Sequence, residues 1–310
     1  MKVLVTGGAG FIGSHTVDRL VADGHTVAVV DNLSTGRRED VNPAARLFVW
    51  DIRSARLGAA LASARPDAVV HLAAQAVVPR SLDDPLFDAS VNVLGTLALL
   101  EGCRRAGTRR FVYASTGGAG YGDTDVLPTP EDHPARPASP YGVSKIAAER
   151  YVECWAGLAG IRPLTLRLAN VYGPRQNPHG EAGVIAIFAH RLLRGESCVV
   201  NGDGEQTRDY VYVADVADAV ARALEKPEAC GIVNIATGVE TTVNEVYRRL
   251  ARAAGVSIPA RHGPPKPGEQ RRSVLEVTRA KTLLGWTPMT TFDEGLRRTL
   301  AWFAGLARGT

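Results

Sequence analysis

Short runs that are apolar at nearly every position punctuate the first half of the chain: residues 2–6 (KVLVT), 26–31 (TVAVVD), 46–51 (RLFVWD), 67–74 (DAVVHLAA), 109–115 (RRFVYAS) and 163–169 (PLTLRLA). A strand with one wet face alternates apolar and polar residues; unbroken runs such as these predict strands covered on both faces. Between several of them lie segments with a helical period, at 11–23, 88–106 and 141–159. Strand, helix and strand repeated in this order predict right-handed crossovers and an α/β fold, a Rossmann-type doubly wound parallel sheet.

After residue 170 the pattern changes. NVYGPRQNPHGEAG (170–183) has the Gly and Pro content of a loop, and a helix is predicted over about 182–194. A further strand–helix–strand group spans 208–238, and GPPKPGEQRR (263–272) interrupts the helical tail. The expected layout is a large dinucleotide domain over 1–170, to which 209–240 returns, and a smaller α/β substrate domain over 171–310.

Composition narrows the function. Lys and Arg number 36 against 32 Asp and Glu, a net charge of +4, and the charges are interspersed. Without a basic run there is no footprint for nucleic acid. The cysteines, Cys103, Cys154, Cys198 and Cys230, form no CxxC pair, which argues against metal ligation and a disulfide framework. No apolar run approaches the ~18 residues of a membrane span. The N-terminus enters a strand directly, without the apolar stretch of a signal peptide, so a cytoplasmic protein is expected.

The chemistry begins at TGGAGFIGSH (6–15), between a strand and a helix. Gly8-x-Gly10-x-x-Gly13 satisfies the dinucleotide fingerprint, and Gly7 offers an alternative spacing. Glycine is required because the turn is tight and backbone must approach a pyrophosphate, which the helix N-terminus then faces. Asp31 ends the second strand, 18 positions beyond Gly13. A carboxylate there suits a ribose diol and repels a 2′-phosphate, which selects NAD over NADP. Asp51-Ile52, closing the third run, is placed to flank the adenine. SPYGVSK (139–145) sets Tyr141 and Lys145 four residues apart behind a proline, one turn apart on one helix face.

With HLAAQ (71–75), AST (114–116), NVYGPRQ (170–176), GDGEQTRDYVYVADV (202–216), NIATG (234–238) and LGW (284–286) in order, nearly the whole chain resembles the extended short-chain dehydrogenase/reductase superfamily. Within it the chain is similar to the NAD-dependent nucleotide-sugar epimerase/dehydratase group. The resemblance implies an NAD site made by Gly7, Gly10, Phe11, Ile12, Gly13, Asp31, Asn32, Asp51, Ile52, Leu72, Ala73, Ala74 and Asn92, together with Tyr141 and Lys145. It implies that Tyr141 is the acid/base, its pKa pulled towards neutral by Lys145 and the nicotinamide cation, and that Thr116 or its neighbour Ser115 relays the proton. Dehydratases of the group carry Asp-Glu, and decarboxylases Glu, beside this hydroxyl; here stand Gly117 and Gly118.

The expected reaction is therefore 4-epimerisation of a UDP-hexose, through transient oxidation at C4. UDP-N-acetylglucosamine or UDP-glucuronate as substrate, and a non-catalytic NAD-binding sensor, are the alternatives. Asn170, Arg208 and Arg271 are the candidates for the diphosphate, with Arg272 and Lys266 as rivals of Arg271. Residues 177–188 should cover the uridine and sugar, and Ser273 should border the sugar pocket. His71 reads as a packed structural residue. The resemblance also implies a homodimer built from the helices near 88–106 and 141–159.

Overall fold

Seven parallel strands form the large sheet of the computed structural model, which describes residues 1–179, 183–266 and 269–308. Strands β1 (Lys2–Thr6), β2 (Thr26–Asp31), β3 (Arg46–Val49), β4 (Ala68–His71), β5 (Arg110–Thr116), β6 (Arg162–Leu168) and β10 (Gly231–Ile235) are arranged in the order β10-β6-β5-β4-β1-β2-β3. The order reverses between β1 and β4, and at such a point the strand ends part to leave a crevice. Strands β1, β4, β5 and β6 are covered on both faces, as their unbroken apolar runs predict. Strand β3 departs from that expectation. It is a sheet edge pairing only with β2, and of its residues only Phe48 is buried.

Helices α1 (Phe11–Ala22), α9 (Val213–Glu225) and α11 (Thr278–Leu284) cover one face of the sheet, where Val17, Leu20, Val216, Val220 and Leu284 join Val3, Val5 and Val70 in one apolar core. Helices α2 (Leu57–Ala64), α5 (Thr96–Ala106) and α7 (Pro140–Leu158) cover the other, where Leu61, Leu99, Leu100 and Val152 pack on Leu4, Val69 and Phe111. The short α3 (Val78–Asp83) and α4 (Pro85–Ala89) precede a π-helical stretch, Ser90–Gly95, that runs into α5. The whole run 85–106 is 22 residues long, with a mean hydropathy of 1.3 over its most apolar window, long and apolar enough to span a membrane. The sequence reading overlooked it because Asp88, Asn92 and Glu101 break its apolar texture. In the fold those same breaks face polar partners while Leu99, Leu100 and Cys103 are buried.

A second sheet is built from β7 (Asn170–Tyr172), β9 (Thr207–Tyr212) and β11 (Glu240–Thr242), and a two-stranded one from β8 (Val199–Asn201) and β12 (Arg261–Gly263). Helices α8 (Val184–Leu193), α10 (Val243–Ala254) and α12 (Phe292–Arg308) pack around them on a separate core of Tyr172, Phe188, Tyr210, Leu250 and Leu300. A single turn, α6 (Gly118–Tyr121), follows β5. The chain leaves the large sheet after β6, visits the second sheet, and returns through α9 and β10.

Candidate active site

A cavity of ≈ 480 Å³ opens at the carboxyl ends of the large sheet, where the strand order reverses. Gly7, Gly10, Phe11, Ile12 and Gly13 form its floor. Gly7 sits at φ +72°, and a Cβ added there would meet the Ala73 nitrogen at 2.6 Å; a Cβ on Gly13 would fall 1.9 Å from the Gly7 carbonyl oxygen. The cradle is therefore defined by Gly7, Gly10 and Gly13. Gly8, the other reading of the fingerprint, instead lets the turn pack on Val29 and Val17. Helix α1 starts from Gly10, which has no side chain to cap the first-turn amides, so they are left for an anion.

Asp31 is buried at the end of β2 and also lines the cavity. Its carboxylate accepts from the Ala9 amide (2.9 Å) and the Leu33 amide (2.8 Å), tying the glycine turn to the second strand. Asn32, Asp51 and Ile52 continue the wall, with Asn32 Nδ2 donating to Asp51 at 2.9 Å. Asp51 also grips Arg53 through two bonds of 2.8–2.9 Å, and the guanidinium holds the carboxyl well below the usual range. Leu72, Ala73 and Ala74 form the opposite side. Asn92 does not reach the cavity: it is buried behind the wall, bonded both ways to the Gln75 backbone at 2.9 Å. A strip of glycine backbone, a helix end and a carboxylate on the second strand fit NAD, whose pyrophosphate Gly10–Gly13 would hold and whose adenosine ribose Asp31 would hold.

Tyr141 and Lys145 are in the same wall, at its sheet end. Helix α7 begins where it does because Ser139 accepts from the Gly142 amide at 3.2 Å and Pro140 occupies the first turn. That start point fixes which face Tyr141 and Lys145 share. The Thr116 hydroxyl stands near enough to the Tyr141 phenol to favour its ionised form, whereas Ser115 lines the cavity with a buried Oγ that has no hydrogen-bond partner among the described residues. The expected pull of Lys145 and the nicotinamide cation together on the phenol has to act against burial. Burial dominates and raises Tyr141 to about 12 against Thr116, and burial lowers Lys145 to about 7 against Glu149 and Asp88. The reason is that loss of water penalises phenolate and ammonium alike. The pair alone does not make an acidic phenol; an added cation, such as an oxidised nicotinamide, is needed.

His71 is packed, as expected. Its ring bridges Thr6 Oγ1 of β1 (2.7 Å) and Thr96 Oγ1 of α5 (2.9 Å), and burial lowers it to about 3.

The residues expected to hold a diphosphate stand apart from the cavity, along the second sheet. Asn170 opens β7 beside Tyr210 and is exposed. Arg208 lies two residues before Tyr210 on β9, with its guanidinium on the Thr207 carbonyl (2.7 Å) and Glu269 (3.4 Å). Arg271 is joined to this strand by a 3.0 Å bond from the Thr207 amide to its carbonyl, while its side chain is engaged by Asp203 at 2.8 and 2.9 Å. Arg272 is held by Glu240. Ser273 is buried, with Oγ 3.4 Å from a Cβ built on Gly118. Of the segment 177–188, Asn177 and His179 line the cavity and 184–188 lie in α8; residues 180–182 are outside the described residues.

Sequence reasoning missed Trp50, Gln75, Arg80, Phe87 and Gln176, all in the cavity wall. Arg80 and Arg53 both stand over the Phe87 ring, at 4.2 and 5.0 Å, an arrangement no spacing rule signals.

A glycine cradle between first strand and first helix, with Tyr-x-x-x-Lys in the same cavity, defines an enzyme of the extended short-chain dehydrogenase/reductase class. Residues 3–236 match the NAD-dependent epimerase/dehydratase family, and the chain belongs to it. It is 47% identical over 308 residues to the UDP-glucose 4-epimerase of Mycolicibacterium smegmatis, covering 98% of both chains. Among solved structures, the Thermotoga maritima UDP-glucose 4-epimerase with UDP-glucose is 46% identical, with a TM-score of 0.96, covering 99% of this chain and 100% of that one. The Thermus thermophilus UDP-glucose 4-epimerase in complex with NAD is 47% identical, with a TM-score of 0.93, covering 98% and 99%.

Proposed function

We propose that this chain is an NAD-dependent 4-epimerase that interconverts UDP-glucose and UDP-galactose through a transient 4-keto sugar. The observation that carries the reading is Tyr141 and Lys145 standing in the wall of the glycine-floored cavity, with no carboxylate at the adjoining strand end. NAD, bound along the glycine cradle, supplies the acceptor and donor of the C4 hydride. Tyr141 takes the proton of the 4-hydroxyl and returns it, with Thr116 or Ser115 holding the same oxygen. Lys145 supplies positive charge beside the phenol and a donor for the nicotinamide ribose. Asn170, Arg208 and Arg271 hold the diphosphate, for which Arg208 exchanges Glu269, and Arg271 exchanges Asp203, for phosphate oxygens. In this division of labour residues 1–170 and 209–240 serve the cofactor and the rest of 171–310 the sugar nucleotide.

The strand end argues against dehydration. A Cβ on Gly117 would stand 2.4 Å from Leu275 Cδ1, so a side chain at this position would have to displace the Leu275 side chain. The small pair Gly118 and Ser273 supports a second substrate reading, in which an N-acetyl group is accommodated. Purified protein incubated with UDP-galactose should yield UDP-glucose without net consumption of NAD, and UDP-N-acetylglucosamine assayed alongside measures the second reading. No product from either sugar overturns the proposal.

The reading includes a homodimer. Helix α7 and the π-helical stretch before α5 present Leu94, Val143, Tyr151 and Leu158 to solvent, 46–78% exposed, an apolar area suited to a contact between copies. Val143→Glu with Tyr151→Glu should convert a dimer to monomer in light scattering; a monomeric parent protein refutes it.

A further inference from the structure

Asp88 is 1% exposed, in α4, behind the wall that carries Tyr141 and Lys145. Its Oδ1 accepts from Gln75 Nε2 at 2.9 Å and Asn92 Nδ2 at 3.2 Å, while Oδ2 is fully enclosed without a hydrogen-bond partner. The Asn92 amide is also 3.0 Å from Ser144 Oγ, and that hydroxyl donates to the Tyr141 carbonyl at 3.0 Å. Asp88 is thus wired to the first turn of α7, against which α4 packs. A carboxylate buried with amide partners only is costly unless a positive charge answers it.

The surrounding charges leave one candidate. Glu149, one turn beyond Lys145, is paired with Arg167 of β6 through bonds of 2.7 and 3.0 Å and still favours the Lys145 ammonium more strongly than Asp88 does. His71 of β4 is neutral down to about pH 3, and the Tyr113 phenol of β5 is raised far above neutrality by burial. Arg80 of α3 lies over the Phe87 ring, and Arg53 is engaged by Asp51. Among the described residues the remaining cation is Lys145, whose charged form Glu149 and, less strongly, Asp88 favour, while the Asp88 charge disfavours the Tyr141 phenolate.

We propose that Asp88 is a positioning residue for this reaction, a buried carboxylate that, together with Glu149, supplies the counter-charge keeping Lys145 an ammonium ion at the side of Tyr141. The inference rests on the epimerase reading for its role in turnover, but not for its electrostatics. Removing the charge favours the amine of Lys145 and the phenolate of Tyr141 together. Both limbs of the pH–rate profile then move in the acid direction, a displacement that a merely structural role does not produce.

The test compares kcat/KM against pH for the holoenzyme, Asp88→Asn and Gln75→Leu. Asp88→Asn should displace both limbs by about one pH unit towards acid. Gln75→Leu, which removes a hydrogen bond but keeps the carboxylate, should lose rate with its limbs unmoved. A second readout needs no turnover: an NMR titration of isotope-labelled lysine Cε in NAD-free protein, with Lys145 assigned by Lys145→Arg, should show a lower midpoint in Asp88→Asn. Asp88→Ser serves if the first variant does not fold. Superimposable profiles and an unchanged Lys145 midpoint overturn the inference. A wild-type protein without epimerase activity refutes the functional reading instead, and the lysine titration still decides this one.

Discussion

The Lys145 side-chain nitrogen lies 4.3 Å from the ring centre of Tyr113, on the strand beneath helix α7. The ring does two opposing things. It helps exclude water, which disfavours the ammonium, and it offers the negative face of its π-system, which returns about 0.5–2 kcal/mol. Tyr113→Phe keeps the face and loses only a long 3.5 Å bond to the Lys145 carbonyl, so kcat should stay within about twofold. Tyr113→Leu should lower kcat/KM by about 3–30-fold and move its alkaline limb towards neutral pH.

Tyr141→Phe should reduce sugar interconversion by about 10²–10⁴-fold while NAD remains bound. The phenol itself can be followed by ultraviolet difference absorbance. In NAD-stripped protein Tyr141, at about 12, should ionise only in strong alkali, and loading with NAD⁺ should bring its transition down. An unchanged transition would mean that the cofactor's charge is not what activates the residue.

His71 makes stability pH-dependent in a stated direction. Its folded value is depressed to about 3 by burial, while an unfolded chain takes up the proton near pH 6.5. The stabilisation is therefore complete above about pH 6.5 and is lost progressively as pH falls towards 3, at ~1.4 kcal/mol per unit. Denaturant unfolding at pH 7.5 and pH 5 should show His71→Gln losing about 2 kcal/mol less between the two than the parent.

Gly13→Ala inserts a methyl 1.9 Å from the Gly7 carbonyl oxygen, both atoms being backbone-borne. The turn must open to admit it. NAD should be absent after gel filtration, and stability should fall by about 2 kcal/mol or more.

Arg167 and Glu149 are each 2% exposed and joined in a two-pronged pair. Removing one partner leaves a buried charge, so Glu149→Gln should cost about 3–5 kcal/mol, whereas Arg167→Met with Glu149→Leu should cost much less. Equal losses in the two variants would show that the pair is not electrostatically coupled.

Strands β1, β2, β4, β5 and β6, the glycine turn, Asp31 and the Tyr141–Lys145 spacing were legible because each is a local pattern: an apolar period, a steric requirement, a helical repeat. Strand β3 read as buried because its composition matches the inner strands, yet its place at the edge leaves it covered from one side only. Asn92, drawn into the cofactor site by resemblance, serves it from behind through the Gln75 backbone. Arg80, Phe87 and Gln176 reach the cavity from separate segments, and nothing local to any of them announces the meeting.

The order of apolar runs and the residues at positions 7, 10, 13, 31, 141 and 145 sufficed to establish a doubly wound sheet, a dinucleotide turn and a tyrosine–lysine pair, because these depend on neighbours along the chain. The charge state of that pair was decided by the tertiary structure. Burial beside Tyr113 and His71, and the field of Asp88 from another helix, come from segments remote in sequence, and the ionisation of a group depends on every charge and water molecule around it.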